Sequence, residues 1–199
     1  MSEDKEKISG TKGYLIDPVP PPTSQVCVIQ NGKRIKVPKP VIVIDTREQE
    51  GYGYTFTRFP NWIKGTIRRT LKTGDYSVEG YEKEITIERK SLEDLVSTLT
   101  TNRETFIKEC ERMADFRRKV IVIESTLARL KSPYSYSDAH PNSVFGTLVA
   151  IQEKFDIHLL FAATKELAEE YTASTLVKYY TLRWLEEHGY QRCFIEGDI

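Results

Sequence analysis

Residues 74–94, Gly-Asp-Tyr-Ser-Val-Glu-Gly-Tyr-Glu-Lys-Glu-Ile-Thr-Ile-Glu-Arg-Lys-Ser-Leu-Glu-Asp, constrain this chain more than any other stretch. From Glu84 to Lys90 the residues alternate with the period of a strand that has two unlike faces. Ile85, Ile87 and Arg89 share one face, and Glu84, Thr86, Glu88 and Lys90 share the other. The isoleucines need a core. The opposite face therefore presents a carboxylate with an ammonium two residues on, about 6–7 Å along the strand. Asp75 stands ahead of this strand, behind Gly74. Hard cations such as magnesium take carboxylate oxygens. An amine beside such a cation orients or deprotonates a water, or offsets charge on a phosphate. An acid followed by Glu-x-Lys on a strand is thus a kit for metal-assisted phosphodiester hydrolysis. The same residues also suit a surface hairpin with ordinary charges, since Asp after Gly is a common turn pair.

The flanking segments set the fold. Val41–Ile44 is a continuous apolar run, as in a strand buried on both faces, and Asp45 ends it. Residues 51–66 lack periodicity and read as a loop; Thr66–Thr73 reads as a strand feeding Gly74-Asp75. After Lys90, Ser91 and Asp94 form a capping-box-like pair. Leu92, Leu95, Val96 and Leu99 then give the stripe of an amphipathic helix. Asn102 is placed to cap a second helix with Phe106, Ile107, Cys110 and Met113 inward. Lys119–Glu124 is another buried strand, residues 143–155 a helix, Ile157–Ala162 a last strand, and Thr164 opens a long helix that Gly189 stops. This order predicts an α/β fold with a mixed central sheet flanked by helices.

Four regions follow. Residues 1–24 are a polar tail containing Pro18, Pro20, Pro21 and Pro22; residues 25–40 a basic hairpin turning at Asn31-Gly32; residues 41–189 the main domain; and residues 190–199 a tail. No apolar run approaches the ~18–20 residues of a membrane span, and the first residues lack a signal-peptide pattern. Cys27, Cys110 and Cys193 are scattered, which fits free thiols in a reducing, intracellular compartment. Basic and acidic residues number 29 each. Any grip on nucleic acid must therefore come from local clusters.

The segment that holds Gly74, Asp75, Glu88, Arg89, Lys90 and Asp94 resembles the Gly-Asp…Glu-Arg-Lys-x-x-x-Asp signature of the XPF-type nuclease domain, a branch of the PD-(D/E)XK enzymes. The resemblance covers roughly residues 41–185 and implies a restriction-endonuclease-like fold. It also implies a divalent-metal-dependent endonuclease cutting DNA near branches, flaps or junctions, with Mg2+ or Mn2+ as cofactor. No helicase domain and no tandem helix-hairpin-helix is found, so the chain is similar to short stand-alone forms of prokaryotes and their viruses. A homodimer through the nuclease domain, or a targeting partner, is expected, in the cytoplasm of a prokaryote or viral host. Two alternatives stand beside this reading: a catalytically silent DNA-binding or scaffold subunit, and a nuclease acting on ordinary duplex or ends in defence or recombination.

Residue by residue, the resemblance implies Asp75 and Glu88 as metal ligands, with the Arg89 carbonyl as a further one. It makes Lys90 the group that activates water or stabilises transition-state charge. Asp45, Arg47 and Glu48 match the acidic/arginine motif that follows the family's first strand. Asp45 is then a third ligand or a supporting acid, and Arg47 a phosphate contact or a brace for the carboxylates; both also suit a plain strand-end ion pair. Arg89, on the other face, is expected to pair with Asp94 or Glu93. Asp94, Arg103 after the first helix, and Glu124 at a strand end are supporting candidates. Arg58, Lys64, Arg68, Arg69 and Lys72 form a basic run without an acid that leads into Asp75, the best candidate for tracking a phosphate backbone. His140, His158 and His188 form no ligand set.

Overall fold

The computed structural model describes residues 27–30 and 33–190. The tails at 1–24 and 191–199, and the Asn31-Gly32 turn, lie outside the described residues. Two short strands, β1 (Cys27–Gln30) and β2 (Lys33–Lys36), pair antiparallel with Gln30 opposite Lys33, the register of a two-residue connection. Behind β2, Val37 packs with Leu185 at the far end of the chain's last helix.

The main body is a six-stranded sheet in the order β4-β3-β5-β6-β7-β8. Its strands are β3 (Val41–Ile44), β4 (Gly65–Arg68), β5 (Tyr76–Val78), β6 (Ile85–Ser91), β7 (Arg118–Glu124) and β8 (His158–Phe161). β5 runs antiparallel to both β3 and β6, whereas β3–β4, β6–β7 and β7–β8 are parallel. Among the described residues the helices are α1 (Leu92–Thr100), α2 (Arg103–Ala114), α3 (Leu127–Leu130), α4 (Pro141–Phe155) and α5 (Lys165–Glu187). This is an α/β fold, a mixed sheet flanked by helices. Among the described residues no helix is long and apolar enough to cross a membrane.

Strand alternation decides what each face meets. Ile85 and Ile87 join Ile42, Ile44, Tyr76, Val120 and Val122 against Ala168, Ala173 and Leu176 of α5. The other face of β7, Ile121 and Ile123, meets Leu95 and Val96 of α1, Phe106 and Met113 of α2, and Leu148 and Ile151 of α4. Each such side chain contributes roughly 1.5–3 kcal/mol on full burial. Tyr54, Phe56, Phe59, Trp62 and Ile63 turn into the α5-side core, which explains the aromatic content of the aperiodic 51–64 segment.

Several elements differ from expectation. The strand expected over 66–73 stops at Arg68 and lies at the sheet edge, and the pairing beside Asp75 comes from β5, which follows it. Asn102 makes no side-chain cap bond, because its φ of −111° and ψ of 23° leave the extended geometry a cap needs. Ser91 does cap α1, accepting from Asp94 N at 3.1 Å, and Thr164 caps α5 through Leu167 N at 3.3 Å. His140 accepts from Asn142 N and moves the start of α4 back to Pro141, an N1 proline.

Candidate active site

Three strand ends converge. Asp45 leaves β3, Asp75 enters β5, and Glu88, Arg89 and Lys90 end β6. Asp45 N donates to Asp75 O and Asp75 N donates to Ile87 O, both at 2.8 Å. Gly74 makes this approach possible. Its φ is +78°, and a Cβ there would stand 2.1 Å from Thr86 Oγ1. Asp75 Oδ2 then accepts the backbone N–H of Arg89 at 2.8 Å, which fixes the acid against β6.

The Glu88 face of β6 is covered: Glu88 is only 5% exposed, and Lys90 lies over the Phe106 ring of α2. Lys90 Nζ lies 2.6 Å from Glu88 Oε1, 3.8 Å from Glu109 Oε2, and 5.6 Å from the Phe106 ring centre. The electrostatics follow. Burial pushes Asp75 up to about 6, with the neighbouring Glu48 charge adding to it against the Arg89 N–H bond. Glu88 is raised well above the ordinary carboxylate range, by burial first and the Asp75 charge second. Burial works against the Lys90 charge, but Glu88 and Glu109 outweigh it and hold the ammonium above its usual value. Two acids strained upward beside one ammonium form a site that lacks positive charge. A divalent cation would relieve both, so the donors present fit magnesium or manganese. Among the described residues no group of three or more histidine, cysteine or carboxylate side chains forms a ready cage. Magnesium, which keeps several waters and takes one or two carboxylates, does not need one.

Asp45, expected as a third ligand, is engaged elsewhere. Oδ1 accepts Arg47 N at 2.8 Å and Arg47 Nε at 2.6 Å; Oδ2 accepts Leu71 N at 2.5 Å and an Arg47 terminal nitrogen at 3.2 Å. Burial alone would raise its pKa, but these donors from Arg47 and Leu71 take it below the ordinary value. Asp45 thereby aims Arg47, which also donates to Leu71 O at 3.0 Å yet keeps 64% of its side chain exposed. The Asp75 and Glu88 charges reach Arg47 too.

Glu48 lies close enough for its charge to reach Asp75. Its Oε1 accepts the Tyr76 hydroxyl at 2.8 Å and stands 3.4 Å from an Arg89 terminal nitrogen. Arg89 does not pair with Asp94 or Glu93. Parallel register places Val122 beside Arg89, so Glu124, two residues on, shares that face and takes Arg89 in a fork, Nε–Oε1 2.7 Å and Nη2–Oε2 3.1 Å. Asp94 is bonded to Ser91 at the start of α1, and Arg103 borders a groove between α2 and α4 with Ile107, Ile151 and Lys154. Among the described residues no hydrogen bond or ion pair joins Arg103 to the three site residues.

The basic run does not act as one stripe. Arg68 turns to the carbonyls of Asp45, Thr46 and Glu48, and Arg69 pairs with Glu82 and Glu79. Arg58 lies 3.7 Å from Glu169 of α5. Lys64 and Lys72 are exposed. Of the five, Lys72 is the cation nearest in sequence to the Leu71 contacts that hold Asp45 and Arg47.

Sequence reasoning missed Glu109 and Tyr76. Glu109 borders the buried stripe of Phe106, Cys110 and Met113, so helical spacing would have turned it toward β6.

The family model described as the ERCC4 domain matches residues 44–175. Among solved structures, XPF from Aeropyrum pernix is similar at 19% identity and a TM-score of 0.55, over 72% of this chain and 61% of that one. The same protein in complex with DNA is similar at 19% identity and a TM-score of 0.57, over 73% and 66% respectively. The chain thus spans less than two thirds of either structure. No curated protein matches it.

Proposed function

The chain belongs to the ERCC4 domain family, and on that premise we propose that it is a divalent-metal-dependent endonuclease that hydrolyses DNA phosphodiester bonds at branches, flaps or junctions. One observation carries this reading: a lysine ammonium 2.6 Å from a buried glutamate, with a second raised-pKa acid beside it at the junction of three strands. Asp75 and Glu88 are assigned to Mg2+ or Mn2+, and the Glu48 charge reaches Asp75. The ion, when bound, supplies Lewis-acid charge to phosphoryl oxygens and activates a water.

The remaining work falls to this chain's side chains. Lys90, held charged by Glu88 and Glu109, offsets negative charge that builds on the phosphate. Arg47, aimed by Asp45 and largely exposed, takes a phosphate oxygen. Arg89 is a positioning residue. Its backbone N–H holds Asp75, and its guanidinium joins Glu124 to Glu48. Lys72 contacts the backbone of the bound strand. Asp94 and Arg103 stand outside this set. The main domain at 41–189 acts on DNA in a prokaryotic or viral-host cytoplasm, as a homodimer or with a targeting protein, and the flanking segments are extensions.

The test is a magnesium-dependent cleavage panel of duplex, single-strand, flap, fork and four-way-junction DNA at fixed salt. Preferred cutting of a branched substrate, abolished by EDTA, is expected. No cleavage of any substrate in magnesium or manganese refutes the reading, and equal cutting of plain duplex removes the branch preference.

A further inference from the structure

We propose that Tyr76 is a positioning residue of this site, its hydroxyl pinning the Glu48 carboxylate in place; the proposal rests on the cation-site reading above. Tyr76 sits in β5 between Ile44 and Ile87 and is fully buried. A buried ring there needs no hydroxyl for packing. Yet the hydroxyl is satisfied on both sides. It accepts Tyr54 N–H at 2.9 Å and donates to Glu48 Oε1 at 2.8 Å. Because the oxygen already receives one N–H, its single proton is directed to the glutamate. The ring cannot swing away. Tyr54 stacks on it at 5.0 Å and 13°, and Phe56 meets it edge-on at 5.4 Å and 86°.

A second, separate feature closes on the same carboxylate. A Cβ added to Gly53 would lie 2.5 Å from Glu48 Cγ and 2.8 Å from Oε1. The backbone at Gly53 and the hydroxyl of Tyr76 therefore form two sides of a cradle, and the Arg89 guanidinium at 3.4 Å is the third. Both hydrogen bonds fall on Oε1. Among the described residues no hydrogen bond engages Oε2. The cradle's loop is itself anchored at a distance. Buried Glu169 of α5 accepts Thr55 N at 3.0 Å and Phe56 N at 2.7 Å, holding Phe56 at its positive φ of 57°. Two consecutive residues thus divide the labour: Asp75, just before β5, faces the cation site, and Tyr76, the first residue of β5 and on the opposite face, fixes an acid whose charge reaches Asp75.

The test compares Mn2+ affinity, read by electron paramagnetic resonance on EDTA-stripped protein, for wild type, Tyr76→Phe, Gly53→Ala, Glu48→Gln and the Tyr76→Phe/Glu48→Gln double variant. Loss of a residue that orients a ligand typically costs about 10–100-fold in metal affinity. Tyr76→Phe and Gly53→Ala should each weaken Mn2+ binding by about tenfold or more, with unchanged far-ultraviolet circular dichroism. The double variant should bind no more weakly than Glu48→Gln alone, since the hydroxyl acts only through that carboxylate. Wild-type affinity in Tyr76→Phe overturns the proposal, as does an additive double variant. If Tyr76→Phe does not fold, unchanged affinity in Gly53→Ala overturns it instead. A wild type that binds Mn2+ but cuts no DNA defeats the nuclease reading while leaving the positioning result intact. A wild type that binds no Mn2+ overturns both.

Discussion

Replacing Asp75 by Asn should abolish cleavage and yet stabilise the metal-free protein at neutral pH. Asp75 is raised from 3.8 to about 6, by burial first and the Glu48 charge among the lesser causes. With the folded value above the unfolded one, this group's favourable contribution is complete below pH 3.8 and lost as pH rises to about 6. Two units correspond to about 3 kcal/mol at about 1.4 kcal/mol per unit. Asn keeps the size and an oxygen for the Arg89 N–H, and the weakening of that bond on neutralisation is already contained in the shifted value. The net gain is about 3 kcal/mol, or about 6–12 °C in Tm for a domain of this size. Differential scanning fluorimetry in EDTA at neutral pH reads it directly. Near pH 4 the advantage should shrink, because the wild-type carboxyl is then protonated in the folded state. In magnesium the order should reverse. A ligand at about 1,000 times its Kd adds about 4.1 kcal/mol to the wild type, and the variant has lost the donor that binds it. A variant that melts below wild type in EDTA at neutral pH, or whose advantage is the same near pH 4, refutes the electrostatic argument.

Three further outcomes follow from the contacts described. Lys72→Ala should lower the slope of log affinity for DNA against log salt by about one, whereas Arg69→Ala, whose charge is already paired with Glu79 and Glu82, should leave it unchanged; fluorescence anisotropy across a salt series checks both. Glu169→Ala removes the acceptor of two backbone N–H groups and should destabilise the fold by about 2–4 kcal/mol in urea melts, with earlier proteolytic cutting near residues 51–58. Gly74→Ala drives a methyl onto Thr86 Oγ1 at a positive φ and should cost at least about 1–3 kcal/mol, with loss of the Thr86–Thr73 hydrogen bond visible as faster amide exchange along β6.

The sequence was most legible where the signal is local. The alternation from Glu84 to Lys90 and the Leu92, Leu95, Val96, Leu99 stripe each depend on neighbours a few residues away, and β6 and α1 lie where they imply. β5 escaped because it is three residues long and follows Gly-Asp, a pair that reads as a turn. The basic run misled for a similar reason. Adjacent residues leaving an edge strand point to opposite sides, so Arg68 turns to loop carbonyls while Arg69 turns to Glu79 and Glu82. Partners across the chain were invisible: Arg89 finds Glu124, 35 residues on, and Glu48 finds Tyr76, 28 residues on. The Asp45–Arg47 ion pair is local and could be read, but no local pattern shows that Glu48 turns to Tyr76 and Arg89 instead, since both acids sit in one four-residue motif.

The central claim is that Asp75, Glu88 and Lys90 serve one phosphate. Single-turnover cleavage of a flap substrate in manganese, by wild type and Lys90→Ala at matched Mn2+ occupancy, tests it most directly. A fall of about a hundredfold or more in the cleavage rate, with DNA affinity retained, is the predicted result. Cleavage by Lys90→Ala at the wild-type rate would contradict the account.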